Sequence, residues 1–197
     1  MKRTERDREA TEKRLLDTVG RMVAEKGFEQ IGINAVAAQS GVSKILIYRY
    51  FGSVDGLLAA YIRQHDFWLN LPADVPEREK LPQFLKMLFQ QQIDRLRTDA
   101  TLRRLYRWEL SCNNETIAKI REQREKAGLE LIRKICQASG MQQSEAETLS
   151  AMFAASVTYL VMLSDFCPVY NGIAIDKDAG WNRIQKGIDT IIDKIVP

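Results

Sequence analysis

The stretch AVAAQSGVSKILIYRYFGS, residues 35–53, decides how the rest of this chain is read. Two short helical segments, about 33–39 and 43–50, flank Ser40-Gly41-Val42. A helix-turn-helix needs an apolar inner face on its first helix, and Ile33, Val36 and Ala37 supply one at helical spacing. Its sharp turn needs a residue that tolerates positive φ, and Gly41 does. Val42 is placed to plug the angle between the helices. The second helix opens at Ser43, a good N-cap residue, and turns Ile47 inward. Lys44, Ile45, Tyr48 and Arg49 are then left on or near the outer face. A short helix offering cationic and aromatic side chains from its amino-terminal half suits a DNA major groove.

The flanks are helical as well. In EATEKRLLDTVGRMVAEKG, residues 9–27, Leu15, Val19 and Met22 recur at helical spacing, and Gly27 is a natural stop. Ser53 is placed to N-cap a long helix, VDGLLAAYIRQHDFWLNL, with Asp55 near its positive end. Pro72, Pro76 and Pro82 mark a linker, and three further helices are expected at about 82–97, 99–112 and 114–138. Two apolar helices close the chain. The first carries Leu149, Met152, Phe153, Val157, Leu160 and Leu163 on one face, with Ser144 and Glu147 spaced as a capping box. The second repeats Trp181, Ile184, Ile188, Ile191 and Ile195. Helices this apolar pack into a bundle, so the fold class is all-α.

Composition narrows the function. The chain has 197 residues, 45% hydrophobic and 28% charged, which is enough for a packed core without staples. Three cysteines (Cys112, Cys136 and Cys167) show no metal-ligand spacing, which points to a reducing compartment. No secretory signal and no run of 18 consecutive apolar residues is visible, so the expectation is a cytoplasmic protein without a membrane partner. The net charge of +3 is unevenly placed. Residues 1–63 hold 11 Lys and Arg against 8 Asp and Glu, whereas residues 64–197 hold 18 of each. The excess positive charge thus surrounds the quoted stretch, a mild nucleic-acid signal. His65 is the single histidine, and no nucleophile elbow, Walker loop or zinc-binding helix motif is present. No enzyme and no cofactor is expected.

Taken together, residues Gly27 to Tyr61 resemble the amino-terminal domain of TetR-family transcriptional regulators. Gly27, Phe28, Val36, Ala37, Ser40, Gly41, Val42, Ser43, Ile47, Tyr48, Tyr50, Phe51, Ser53 and Leu57 stand at the places of that family's pattern. The resemblance covers about the first 60 residues; the rest agrees in size, helicity and order. It implies that Lys44 and Tyr48 approach base edges or nearby phosphates, that Arg49 and Tyr50 hold the backbone, and that Asn34 reaches a base from the supporting helix. Ser43 opens the recognition helix, and Ile45, where the family usually has glycine, is positioned for a thymine methyl. Leu46 and Gly32 stand where threonine is common, and Val54 replaces a usual lysine. These three departures remove polar backbone contacts and predict a shallower salt dependence than is usual for the family.

The resemblance further implies two parts: a three-helix helix-turn-helix domain over residues 1–53, and a larger helical ligand-binding and dimerisation domain over 54–197. The partners expected are double-stranded DNA, a small-molecule effector, and a second copy joined through the last two helices. Aromatic and soft side chains in the second part (Trp68, Phe84, Met87, Trp108, Cys112, Tyr159 and Phe166) are candidates to line an apolar effector pocket, against the alternative that most simply form core. Glu109 and Arg107 are the polar groups expected to reach inward. Two other readings stand beside this one. One is a ligand-binding module whose DNA contacts have decayed; the other is an enzyme on a helical scaffold, which needs an activity sensitive to His65 or Glu109.

Overall fold

The computed structural model describes residues 2–72, 74–111 and 114–196, with side chains from residue 6 onward. Among the described residues it holds nine α-helices and one two-stranded antiparallel hairpin. The helices are α1 (Lys2–Lys26), α2 (Ile33–Ser40), α3 (Lys44–Phe51), α4 (Val54–His65), α5 (Leu81–Thr98), α6 (Ala100–Ser111), α7 (Glu115–Ser139), α8 (Gln143–Ser164) and α9 (Asp178–Ile195). The hairpin strands, β1 (Val169–Tyr170) and β2 (Ile173–Ala174), turn the chain between α8 and α9 through Asn171 and Gly172, both at positive φ.

Packing divides the chain into two compact units. The first comprises Met1–Asn70 and Ala100–Gln123; the second comprises Leu71–Asp99 and Arg124–Pro197. The unit that contains the helix-turn-helix therefore extends past residue 53 to include α4, α6 and the start of α7.

In the first unit, α1 buries Leu15, Val19, Met22 and Val23 and packs on both α2 and α4. Helix α6 joins this core through Leu102, Leu105 and Tyr106. Its Arg104 guanidinium donates to the carbonyls of Val23, at 3.2 Å, and of Ala24. Both carbonyls lie in the last turn of α1, where that of Val23 also accepts the Gly27 N–H at 3.0 Å, so a cation from α6 caps α1. Trp108 of α6 stacks on Phe28, with ring centroids 4.9 Å apart.

In the second unit, α5 lies against both α8 and α9. Phe84, Leu88, Phe89 and Ile93 of α5, Val157 and Val161 of α8, and Ile188 and Ile192 of α9 are all buried. Trp181 is buried at the start of α9, and its indole N–H donates to the Ile175 carbonyl at 2.7 Å. Arg97 lies over that ring and pairs with Asp178 at 2.6 Å, while Lys86 pairs with Asp193 at 2.5 Å.

Three local expectations need correction. The helix after Ser53 ends at His65 instead of running to Leu71. Asp66 breaks it: its buried carboxylate accepts the Leu69 N–H at 2.9 Å and caps a short 3₁₀ turn, Trp68–Asn70. Asn70 then closes the break by donating to the Asp66 and Arg63 carbonyls. No capping box forms from Ser144 and Glu147, because α8 begins earlier, with Gln142 at its N-cap, and Glu147 instead accepts from the Gln143 amide. The buried side of α9 passes through Ile192, leaving Ile191 40% exposed. By length and composition only, α8 is apolar enough for a membrane span, with a mean hydropathy of 1.4 over an 18-residue window. Scattered Ser and Thr residues interrupt the consecutive apolar run on which the sequence criterion relies.

Candidate nucleic-acid interface

The geometry starts at Gly41, which ends α2 in the left-handed region at φ 67°. A side chain there would be strained, which is why glycine suits the turn. The Ser40 hydroxyl accepts the Val42 N–H at 3.1 Å, and Val42 is buried in the angle between α2 and α3. Ile47, fully buried, fixes which side of α3 faces inward. The opposite side then projects Lys44, Ile45, Tyr48 and Arg49 into solvent, with Ser43 exposed at its start and Asn34 exposed on α2. Ile45 is 78% exposed and Tyr48 52% exposed. Core packing explains neither.

Ser43 occupies the N-cap position of α3 with extended backbone angles, yet its side chain makes no capping bond. Its hydroxyl is thus not committed to capping the helix that it opens. Ser53 does cap α4, accepting the Gly56 N–H at 2.9 Å. Gly56 is needed there because a Cβ would collide with the Phe51 carbonyl. That close approach brings α4 tightly against the end of α3.

Tyr50 is half-buried and belongs to a contact that sequence reasoning missed. The Arg8 guanidinium of α1 lies 5.2 Å from the centre of the Tyr50 ring, while its Nε donates to Glu12 at 2.7 Å. Arg8 ties the amino-terminal part of α1 to the recognition helix and adds a cation beside it. The hydrogen bond to Glu12 raises the pKa of Arg8 further above its ordinary value. The i,i+4 spacing of Arg8 and Glu12 was visible in the sequence; the proximity of Tyr50, more than forty residues away, was not.

The expected effector-pocket residues are dispersed. Trp68 and Trp108 belong to the first unit, where Trp68 meets Phe67 edge-on at 5.2 Å and Trp108 is stacked on Phe28. Phe84 is buried in α5 of the second unit. Met87, Tyr159 and Phe166 are 44%, 52% and 75% exposed. Cys112 lies outside the described residues. Glu109 does reach inward, at 5% exposure. A cleft of about 540 Å³ in the second unit lies between Asp74–Arg78 and Lys134, Gln137 and Ala138 of α7, and none of the six described candidates borders it.

Comparisons with known proteins agree with this geometry. Residues 15–61 match the model of the family described as bacterial regulatory proteins, tetR family. Over nearly its whole length the chain has the fold of a putative TetR-family transcriptional regulator from Vibrio parahaemolyticus, with 20% identity, a TM-score of 0.58, and coverage of 95% of this chain and 99% of that one. A second solved structure, the TetR-family repressor AlkX from Dietzia sp., aligns at 17% identity and a TM-score of 0.42 over 93% of this chain and 96% of that one. No curated protein matches the chain. The family is one of DNA-binding regulators, not of enzymes. By residues 15–61 and by its fold, this chain is similar to the tetR family of bacterial regulatory proteins.

Proposed function

We propose that the chain is a homodimeric repressor that reads a palindromic operator and is released from it by a small, mostly apolar effector. The observation that carries the DNA part is the outer face of α3, where Lys44, Ile45, Tyr48 and Arg49 are all exposed over the buried Ile47. In this reading Lys44, Tyr48 and Ile45 meet base edges, Ser43, Arg49 and Tyr50 meet phosphate, and Asn34 assists from α2. Residues 1–53 carry the DNA contacts, and residues 54–197 dimerise and bind the effector.

Dimerisation is supported by α8. Thr148, Ala151, Met152, Ala155, Ser156 and Tyr159 form one exposed stripe at helical spacing, with small residues that permit close approach. On α9, Gly187, Thr190 and Ile191 are exposed in the same way. Two copies joined through these faces bury what a single chain leaves open and form an intermolecular four-helix bundle. Their recognition helices then stand about 34–36 Å apart, one turn of DNA. A protein of this kind acts in the cytoplasm, where bacterial DNA lies.

Effector binding acts by changing that separation. Helix α4 is tied to α3 at Gly56 and serves as the lever, and α6 grips the end of α1 through Arg104 and Phe28 just beyond it through Trp108. The coupling equals the effector's differential affinity for the two states, typically about 1–3 kcal/mol. The test is selection from random duplexes at about 150 mM salt, near physiological screening. An enriched palindrome that Tyr48→Ala abolishes supports the reading. A folded dimer that enriches nothing removes it in favour of a module whose DNA contacts have decayed.

A further inference from the structure

We propose that Gln92, in the seam between α5 and α8, anchors a neutral and mostly apolar ligand through a hydroxyl or N–H donor on that ligand. The inference rests on the effector reading above and names the chemistry of its site.

Gln92 is fully buried. It interrupts a stripe of α5 in which Leu88, Phe89, Ile93 and Leu96 are also buried. Its Nε2 reaches the Ala154 carbonyl at 3.3 Å and the Thr158 hydroxyl at 3.2 Å, both at the long end for hydrogen bonds. Among the described residues no donor reaches its Oε1. A buried carbonyl without a donor costs free energy that an apolar residue avoids, so its presence in a core calls for a reason.

Its amide nitrogen links α5 to α8, but none of the described contacts uses its oxygen. Within the second unit the described buried polar side chains are Gln92 and Ser139. Ser139 has a local role, accepting the Met141 N–H at 3.0 Å where α7 ends. Gln92 supports no turn and no cap. What it leaves open is one acceptor on a stripe of α5 whose other buried side chains are aliphatic or aromatic, with the Thr158 hydroxyl beside its nitrogen and the edge-to-face pair Phe89–Phe153, rings 5.3 Å apart, on the same two helices. An apolar site with one convergent polar group is the usual form of a small-molecule site.

The same surroundings specify the ligand. No ionised side chain of the second unit is among the described buried residues, so a charged ligand would lack a counter-charge. An amide oxygen accepts and does not donate, so the ligand must supply the proton. A hydroxyl or a neutral N–H on an apolar skeleton meets both conditions. Gln185 of α9 also has an unmatched Oε1, but it is only half-buried and its Nε2 is held by the Asp189 carboxylate at 2.7 Å, which makes it the natural control.

The experiment uses the full chain and two near-isosteric probes, phenol, which has a donor, and toluene, which has none. Affinities are measured by ligand-observed NMR for the wild type, Gln92→Met, Gln92→Leu and Gln185→Leu, with folding of each checked by thermal melting. The ratio of phenol to toluene affinity is expected to fall about tenfold in both Gln92 variants, equivalent to about 1.4 kcal/mol, and to stay unchanged in Gln185→Leu. Phenol, and not toluene, should also shift the Gln92 side-chain amide resonance, identified by its loss in the variants. An equal ratio in all four proteins overturns the anchor while leaving an apolar effector site standing. Failure of both probes to bind the wild type overturns the anchor together with the effector reading on which it rests. A crystal structure in which a water stays on Oε1 at saturating phenol also overturns it.

Discussion

Helices α3 and α8 both leave large apolar side chains in solvent, and the company those side chains keep separates their roles. On α3, Ile45 and Tyr48 stand among Lys44 and Arg49, over one buried anchor, Ile47. On α8, Met152 and Tyr159 stand among Ala151, Ala155 and Ser156, and the helix contains no Lys or Arg at all. Cations beside an apolar contact suit a polyanion with methyl groups in its groove; small neutral residues beside one suit another helix. An exposed hydrophobic residue therefore has little meaning alone. Its neighbours at three and four positions along the helix say what covers it.

The comparison breaks most visibly at α8. Ala155→Arg puts an unpaired charge into the proposed seam and is expected to weaken the dimer at least about a hundredfold, read by sedimentation at micromolar protein. An unchanged dimer would move the interface elsewhere. On α3 the sharpest contrast is between its two isoleucines. Ile47→Ala should cost about 2–5 kcal/mol of stability in denaturant unfolding, because it empties a packed site. Ile45→Ala should leave stability within about 0.5 kcal/mol while lowering operator affinity. Tyr48→Ala is expected to lose about 1–3 kcal/mol of sequence discrimination per half-site while retaining binding to random duplex, as measured by competition titration.

Smaller effects sharpen the picture. Ser53→Ala should cost about 1 kcal/mol because its side chain caps α4, whereas Ser43→Ala, which removes no cap, should leave the melting curve nearly in place. Lys44→Ala should lower the salt slope of DNA binding by about 0.9 for each phosphate that the lysine neutralises. With Leu46, Gly32 and Val54 lacking polar contacts, the wild-type slope should already be shallow. A slope equivalent to about ten phosphates would refute that expectation.

Much of the first unit was legible in the chain. Gly41, Val42 and Ile47 each answer a local steric demand, and local demands are written in adjacent residues. The break at Asp66 was not legible, because helix propensity is a weak prior and a single carboxylate that turns back to cap the next turn overrides it. The effector side was the least legible. Trp108 and Phe84 resemble each other as candidates in the sequence, yet one stacks on Phe28 in the first unit and the other joins the stripe of α5 in the second. Gln92 drew no notice because a glutamine inside a helix is ordinary until its burial is known.

By itself, then, the sequence determined the all-α class, the helix-turn-helix and the residues of its outer face. Each follows from periodicity, turn chemistry and charge over spans of about ten to sixty residues. Tertiary structure alone decided that Arg8 meets Tyr50, that Arg104 caps α1, and that Gln92 lies without a donor for its oxygen in an apolar seam. These depend on side chains between 42 and 81 positions apart coming together. No local pattern encodes such pairings, because they arise only when whole helices choose their neighbours.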